Sequence, residues 1–144
     1  MMRTTSAVAL CLVLPLAVLA VTPLGGCNGG GGRATAERFL DAHYVRIDLD
    51  GARGLCSGLA RVKLEKELAL TADVSIEADT RQPRVNYQLE TAREAQDRGQ
   101  FAYVLTIRAP GSEPFERLVT VTVKKEDGGW SVTNYAEGDR AIAP

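Results

Sequence analysis

Four segments in the second half of the chain alternate apolar and polar residues, and this alternation constrains the fold more than any other feature. All four lie beyond Pro83. Successive side chains of a strand point to opposite faces, so each segment would present one apolar face to a core. The residues on that face are Val85, Tyr87 and Leu89, then Phe101, Tyr103, Leu105 and Ile107, then Val119, Val121 and Val123, and finally Trp130 and Val132. The sequence predicts four strands.

Short turn sequences separate the four segments. Asp97-Arg98-Gly99, Pro110-Gly111-Ser112 and Asp127-Gly128-Gly129 each contain a residue that tolerates a positive φ angle. Turns this short join neighbouring antiparallel strands. A four-stranded sheet with one apolar face also needs a cover, which must come from the first half of the chain.

An amphipathic helix is predicted from Thr35 onward. Its apolar side repeats with a period of 3.6 residues, and Thr35 is suited to cap the first turn. The residues on this side are Ala36, Phe39, Leu40, His43, Tyr44 and Ile47. This helix is the predicted cover for the sheet.

Two further segments separate this helix from the strands. Asp48 and Asp50 offer caps for a short helix. From Leu59 to Ala72 the pattern favours a helix, with apolar residues Leu59, Val62, Leu64, Leu68 and Leu70. Four of these five have even numbers and also fit a strand, so both interpretations stay open here.

The N-terminus has the layout of a signal peptide. Arg3 is the one charge of the first five residues, and residues 7–21 are apolar, interrupted only by Pro15. A run of this length is shorter than the about 20 residues of a membrane-spanning helix. The following Leu24-Gly25-Gly26-Cys27 resembles the lipobox of bacterial lipoproteins.

The lipobox resemblance implies a domain organisation and a location. Residues 1–26 would be a lipoprotein signal peptide, and residues 27–33 would comprise lipidated Cys27 and a glycine-rich tether to a body at 34–144. The protein would then be anchored in a bacterial cell envelope and face the periplasm, with Asn28 favouring the outer membrane. Ordinary cleavage after Ala20, which would leave Cys27 as a free thiol, is the alternative.

Composition limits the chemistry that this chain can perform. Seventeen Lys and Arg residues against eighteen Asp and Glu leave no basic excess, so we expect no nucleic-acid partner. One His and three Cys match no metal-ligand spacing, and we expect neither a metal nor a cofactor. After removal of Cys11 and lipidation of Cys27, Cys56 would be the remaining thiol, and its apolar neighbours predict a buried side chain.

The order of the predicted elements resembles the nuclear-transport-factor-2-like, cystatin-like fold. Helices come first and antiparallel strands follow, and the closing segment Lys125-Glu126-Asp127-Gly128-Gly129-Trp130-Ser131-Val132 is similar to the last hairpin of bacterial members. The resemblance spans about residues 34–137. It implies an α+β fold with N-terminal helices packed on a curved four-stranded antiparallel sheet.

The same resemblance implies that the helices and the concave face of the sheet enclose a pocket. The candidate lining residues are Phe39, His43, Tyr44, Tyr87, Phe101, Tyr103 and Trp130. They would suit a small apolar ligand, but these side chains are also sufficient to fill the core of a domain of about 110 residues.

Two functions from different classes follow. The first is a non-enzymatic module that binds a ligand or docks an envelope protein, with a homodimer through the Thr-rich sheet face (Thr120, Thr122, Ser131, Thr133) as a further option. The second is a small-molecule isomerase or dehydratase, with His43 as a proton shuttle. Steroid-isomerase members of the fold pair a helix tyrosine with two carboxylates. Tyr44 fits that role, but the apolar strand faces supply no acids, so no catalytic residue is assigned.

Overall fold

Helices precede a single antiparallel sheet in the structure, which is a computed structural model that describes residues 31–73 and 83–140. Helix α1 spans Gly32–Leu40 and continues into a π-helical segment, Asp41–Val45; α2 spans Leu49–Gly54 and α3 spans Gly58–Thr71. The strands are β1 (Arg84–Glu94), β2 (Arg98–Arg108), β3 (Phe115–Glu126) and β4 (Gly129–Asp139). The predicted signal peptide and Cys27 lie outside the described residues.

The four strands pair in the order β1-β2-β3-β4, each antiparallel to the next. Phe101 lies opposite Val121 and Tyr103 lies opposite Val119. The register shifts once between Leu89 and Thr91 and once between Thr122 and Val123, and bulges of this kind bend strands locally. The predicted α+β architecture, helices on a four-stranded antiparallel sheet, is confirmed.

The core lies between the helices and one face of the sheet, which we call the inner face. The apolar residues expected to share this face do so, because strand alternation places them all on one side. Its buried side chains on the strands are Phe101, Tyr103, Leu105, Val119, Val121, Val123, Val132 and Tyr135. The helical side of the core comprises Ala36, Phe39 and Leu40 of α1 together with Ala42, Ala52, Cys56, Ala60 and Leu64. We call the opposite side of the sheet the outer face.

Helix α1 begins earlier than the sequence predicted. Gly32 is buried, and a Cβ atom there would lie 2.9 Å from Cγ2 of Val123 and 3.1 Å from the Trp130 ring. Thr35 is not the N-cap, because it lies inside α1 and the N-cap position is Gly31; its buried hydroxyl accepts a hydrogen bond from the Arg38 guanidinium at 3.1 Å. Gly32 and Arg33, which the sequence pattern placed in the tether, therefore belong to α1.

The first helix also does not continue regularly to Ile47. Its last turn widens over Asp41–Val45, where the N–H of Arg46 donates to the carbonyl of Asp41 at 2.9 Å. Ile47 has φ of 55° and ends the helix. A π turn rotates the side chains that follow it relative to an α-helix, and such turns recur at functional sites.

The predicted cap at Asp48 is confirmed, since its Oδ1 accepts from the backbone N–H of Gly51 at 2.9 Å. The helical interpretation of residues 59–72 is also confirmed by α3. Its predicted apolar stripe does not face the sheet as a whole, because Leu59, Val62 and Leu70 are exposed. In the described ranges no helix has the length and apolar character needed to cross a bilayer.

Candidate functional site

The π-helical segment directs three polar side chains to three different elements. Oδ1 of Asp41 accepts a hydrogen bond from the Tyr87 hydroxyl on β1 at 3.0 Å. Tyr44 donates its hydroxyl to Oε1 of Glu137 on β4 at 2.8 Å. His43 lies between Asp41 and Tyr44 in the sequence, and its ring contacts Glu67 of α3. The widened turn thus joins helix α1 to both edge strands and to α3.

His43 and Glu67 form the centre of this polar cluster. Nε2 of His43 lies 2.7 Å from Oε2 of Glu67, and Oε1 of Glu67 accepts from the Tyr135 hydroxyl at 2.5 Å. Nζ of Lys63 then donates to the Tyr135 carbonyl at 2.6 Å and to Oδ1 of Asn134 at 2.9 Å. One carboxylate therefore links the π-helical segment, α3 and β4.

The second ring nitrogen of His43 has no hydrogen-bond partner among the described residues. Its Nδ1 is buried, and the ring stacks on Phe39 with centroids 5.3 Å apart and meets Tyr44 at 4.3 Å. In the neutral tautomer in which the Nε2–H donates a hydrogen bond to the Glu67 carboxylate, Nδ1 carries a free lone pair. This nitrogen is enclosed by the rings of Phe39 and Tyr44, and His43 lines none of the three cavities in the described part of the chain.

Burial and nearby carboxylates keep the tyrosines of the site protonated. Burial, reinforced by Glu137, raises the pKa of Tyr44 well above its usual range. Burial and then the hydrogen bond to Asp41 raise the pKa of Tyr87 to about 12. The pKa values of Tyr103 and Tyr135 are raised as well, again mainly by burial. At neutral pH the hydroxyls of Tyr44, Tyr87 and Tyr135 are therefore protonated and donate hydrogen bonds to Glu137, Asp41 and Glu67 respectively.

The seven predicted pocket residues do not converge on one point. Phe39, His43 and Tyr44 lie together, and Tyr87 meets Tyr103 edge to face with centroids 5.8 Å apart. Phe101 and Trp130 lie toward the end of the sheet where β3 turns into β4, beside Gly99 and Gly32 respectively.

The aromatic cluster is closely packed rather than open around a visible ligand space. Phe39, Phe101 and Tyr103 are fully buried. Of the seven residues only Tyr87 lines any of three cavities found in the described part of the chain. A ligand pocket among these residues stays a prediction.

The acids of the cluster were missed by the sequence analysis. The expectation that the apolar strand faces supply no acids is wrong at Glu137, which lies opposite Val119 and accepts a hydrogen bond from the Tyr44 hydroxyl. Glu67 carried a usable signal: Ala60, Leu64 and Glu67 follow a helical spacing, and this is the side of α3 that faces the sheet. Glu137 carried none, since it lies beyond the bulge that shifts the register of β4.

A separate groove of about 510 Å³ opens on the outer face of the sheet. Polar side chains line most of it: Asn86, Gln88, Glu90, Thr106, Glu116 and Arg140. The Arg140 guanidinium lies 2.6 Å from Glu116 and 3.6 Å from Glu90, so it joins β1 and β3 across the groove. The outer face therefore carries a mostly polar groove, with Val104, paired with Leu118, as an apolar part of its lining, whereas the inner face is filled.

Cys56 is buried, as predicted, and burial raises the pKa of its thiol to about 12. A thiol of this kind is a poor nucleophile. Within residues 31–73 and 83–140, no group of three or more His, Cys, Asp or Glu side chains is placed to hold a metal ion.

Comparison with solved structures identifies the fold. A protein from Thiobacillus denitrificans, described as a calcium/calmodulin-dependent protein kinase type II association domain, matches with a TM-score of 0.62 at 11% identity, over 78% of this chain and 97% of that one. A domain of unknown function with a cystatin-like fold from Nostoc punctiforme matches with a TM-score of 0.58 at 16% identity, over 76% and 75% of the two chains.

A third similar structure is a protein of unknown function from Shewanella oneidensis, described as like nuclear transport factor 2. Its TM-score is 0.55 at 11% identity, over 74% of this chain and 95% of that one. No protein-family model matches the sequence, and no curated protein matches it. At these identities the likeness establishes the nuclear-transport-factor-2-like, cystatin-like fold that the sequence resembled, and the fold does not fix a function.

Proposed function

We propose that this chain is a cell-envelope lipoprotein, anchored to a bacterial membrane through Cys27, whose body is a non-enzymatic binding or docking module facing the periplasm. The observation that carries the binding function is the contrast between the two sheet faces. The inner face is filled by buried aromatic and aliphatic residues, whereas the outer face carries an open groove lined mostly by polar side chains. Recognition then takes place at the surface of the domain.

The start of α1 supports the proposed anchor. Only residues 28–31 separate Cys27 from Gly32, which packs against Val123 and Trp130. At about 3.6 Å per residue, the five residue steps from Cys27 to Gly32 can span at most about 18 Å. The lipid would therefore hold the β3–β4 end of the domain close to the membrane, and Asn28 favours the outer membrane.

The outer face supports docking to another envelope protein. Thr106, Thr120 and Thr122 place hydroxyl groups along its centre, and no described element covers them. A domain of the same fold from Thiobacillus denitrificans is described as an association domain. We propose an envelope protein as the partner, and a homodimer through the same face is an outcome that the experiment below distinguishes.

The anchor is tested by comparing Cys27→Ser with Cys56→Ser in the native host. Mass spectrometry of the mature wild-type protein should find an N-terminus at Cys27 carrying added acyl mass. Cys27→Ser should remain unprocessed, while Cys56→Ser should be processed normally. A wild-type chain that begins elsewhere or lacks acyl mass would contradict the anchor.

The docking face is tested with a photo-crosslinking residue at Thr120, with the same residue at exposed Arg61 on α3 as the matched control. A crosslinked product of one defined mass from position 120 alone is expected. A product of twice the chain mass identifies the homodimer instead of a different protein. Equal yields from both positions, or none from position 120, would contradict docking through the outer face.

One observation favours a second candidate, a small-molecule isomerase or dehydratase. It is the buried Nδ1 of His43, which has no hydrogen-bond partner in residues 31–73 and 83–140 and lies beside the protonated Tyr44 hydroxyl. A panel of small carbonyl and hydroxyl substrates tests this candidate. Turnover that is lost in both His43→Ala and Tyr44→Phe, with the fold retained, would support the enzyme over the binding module.

A further inference from the structure

Two arginines face each other across the first two strands. Arg84 at the start of β1 is paired in register with Arg108 at the end of β2, and both are exposed. Like charges directly opposite each other in an antiparallel pair destabilise a sheet. An arrangement of this kind calls for a counter-charge.

The described residues do not supply that counter-charge. Neither Arg84 nor Arg108 makes an ion pair or a side-chain hydrogen bond within residues 31–73 and 83–140. Glu116 is the nearby acid on the same face, since it lies opposite Thr106, but its carboxylate is held 2.6 Å from Arg140. Arg46, which follows the π-helical segment, adds a further positive charge at this end of the domain.

The two arginines line an open groove that also has an apolar wall. Its volume is about 640 Å³, and it is bordered by Val45, Pro83, Arg84, Val85, Asn86 and Arg108. Val45 is 38% exposed although it is a large apolar residue. The Asn86 amide is a further hydrogen-bond donor, and it makes no side-chain hydrogen bond to any described residue. Arg84 and Arg108 are on the outer face and Val85 is on the inner face, so the cationic and apolar surfaces meet at the end of the sheet where β1 begins and β2 ends.

We propose that this groove binds a small amphipathic anion. Its oxyanion head, a phosphate or a carboxylate, lies between the guanidinium groups of Arg84 and Arg108, and its apolar portion lies against Val45 and Val85. Guanidinium groups bind such heads with paired hydrogen bonds. This inference goes beyond the proposed docking function, because the groove is a second site on the same domain. Anion binding itself does not depend on the lipid anchor.

The position of the groove favours a free anion over a headgroup of the anchoring membrane. Gly32 packs beside Val123, which lies opposite Gly99 near the start of β2. Arg108 is at the other end of that strand, about 30 Å away at about 3.3 Å per residue. The groove therefore opens at the end of the domain farthest from the proposed anchor.

The binding test is calorimetric titration of the full chain in detergent with phenyl phosphate. Benzyl alcohol is the uncharged control ligand. Arg84→Gln and Arg108→Gln should each weaken binding at least tenfold, whereas Arg93→Gln, an exposed arginine farther along β1, should not change it. No saturable binding to the wild type, or an equal loss in Arg93→Gln, would overturn the proposal.

Thermal unfolding provides a second readout that does not require a high affinity. Without ligand, Arg84→Gln should unfold at a slightly higher temperature than the wild type, because the repulsion is removed. Phenyl phosphate should raise the unfolding temperature of the wild type and of Arg93→Gln but not of Arg84→Gln. A lower unfolding temperature for ligand-free Arg84→Gln would show that the charge is already compensated, and would overturn the proposal.

Arginine modification by phenylglyoxal distinguishes the two sources of the anion. The chain is reconstituted in phosphatidylcholine or phosphatidylglycerol vesicles, and modified residues are mapped by mass spectrometry. Phenyl phosphate should protect Arg84 and Arg108 in phosphatidylcholine vesicles. Protection by phosphatidylglycerol alone would assign the groove to a lipid headgroup and contradict a free ligand. Failure of the chain to stay on vesicles would count against the anchor, while the titration still tests the groove.

Discussion

His43 and Glu67, 24 positions apart in the sequence, meet at 2.7 Å and connect the widened end of the first helix to α3. The same carboxylate accepts a hydrogen bond from the Tyr135 hydroxyl, so the Glu67 side chain links the π-helical segment, α3 and β4. The cluster holds these elements together. It also fixes the orientation of the His43 ring, whose Nδ1 has no hydrogen-bond partner among the described residues.

Replacing Glu67 should therefore weaken the fold. Glu67→Gln preserves the shape but loses charge-assisted hydrogen bonds to His43 and Tyr135, and we expect a loss of about 2 kcal/mol in the free energy of unfolding. Chemical denaturation measures the change. Glu65→Gln is the matched control, since Glu65 only pairs at 3.7 Å with exposed Arg61, and it should cost less than about 0.5 kcal/mol. Equal effects of the two variants would contradict the role of Glu67.

Removal of the Tyr103 hydroxyl and removal of the Tyr135 hydroxyl should change the free energy of unfolding in opposite directions. The Tyr103 hydroxyl is buried with no hydrogen-bond partner in the described ranges, so Tyr103→Phe should be neutral or stabilise the fold by up to about 1 kcal/mol. Tyr135→Phe removes a hydrogen bond to Glu67 and should cost about 1 kcal/mol. Urea unfolding of the two variants is the measurement, and destabilisation by Tyr103→Phe would show that its hydroxyl has a partner after all.

Adjacent glycines provide a test of where the body begins. Gly32→Ala would force a methyl group to within 2.9 Å of Val123 and 3.1 Å of Trp130, and overpacking of this kind costs about 1–3 kcal/mol. Gly31→Ala meets no atom within 4 Å and should leave stability almost unchanged. Thermal unfolding of both variants compares them directly. Similar behaviour would mean that α1 does not pack on the sheet from Gly32.

The tyrosines should not ionise near pH 10 while the protein is folded, but should ionise together with unfolding at a higher pH. All four tyrosines of the chain have pKa values raised above 10.0 by burial, and that of Tyr87 is about 12. A tyrosine whose pKa is raised in the folded state contributes its full stabilisation at pH values below its pKa in the unfolded state, about 10. This contribution is lost as the pH rises through its pKa in the folded state. Absorbance at 295 nm should therefore show no titration step near pH 10 in the folded protein. Instead, absorbance and the loss of circular dichroism should change together at higher pH. A tyrosine step near pH 10 with the fold intact would be the contrary result.

The sequence by itself determined the layered architecture. Alternation in four segments placed Phe101, Tyr103, Val119 and Val121 on one face, because strand geometry allows no other outcome once one face must be buried. The sequence also predicts the cap at Asp48, because a hydrogen bond between near neighbours in the chain depends only on local geometry.

Only the tertiary structure decided the site. The widening of the helix at Asp41–Val45, the bulge before Glu137 and the meeting of Glu67 with His43 and Tyr135 all depend on residues distant in the chain. The opposed pair Arg84 and Arg108 likewise follows from strand register rather than from either arginine's neighbours. Periodicity reports which side of an element is buried, whereas partners across elements are selected by packing that no local pattern records.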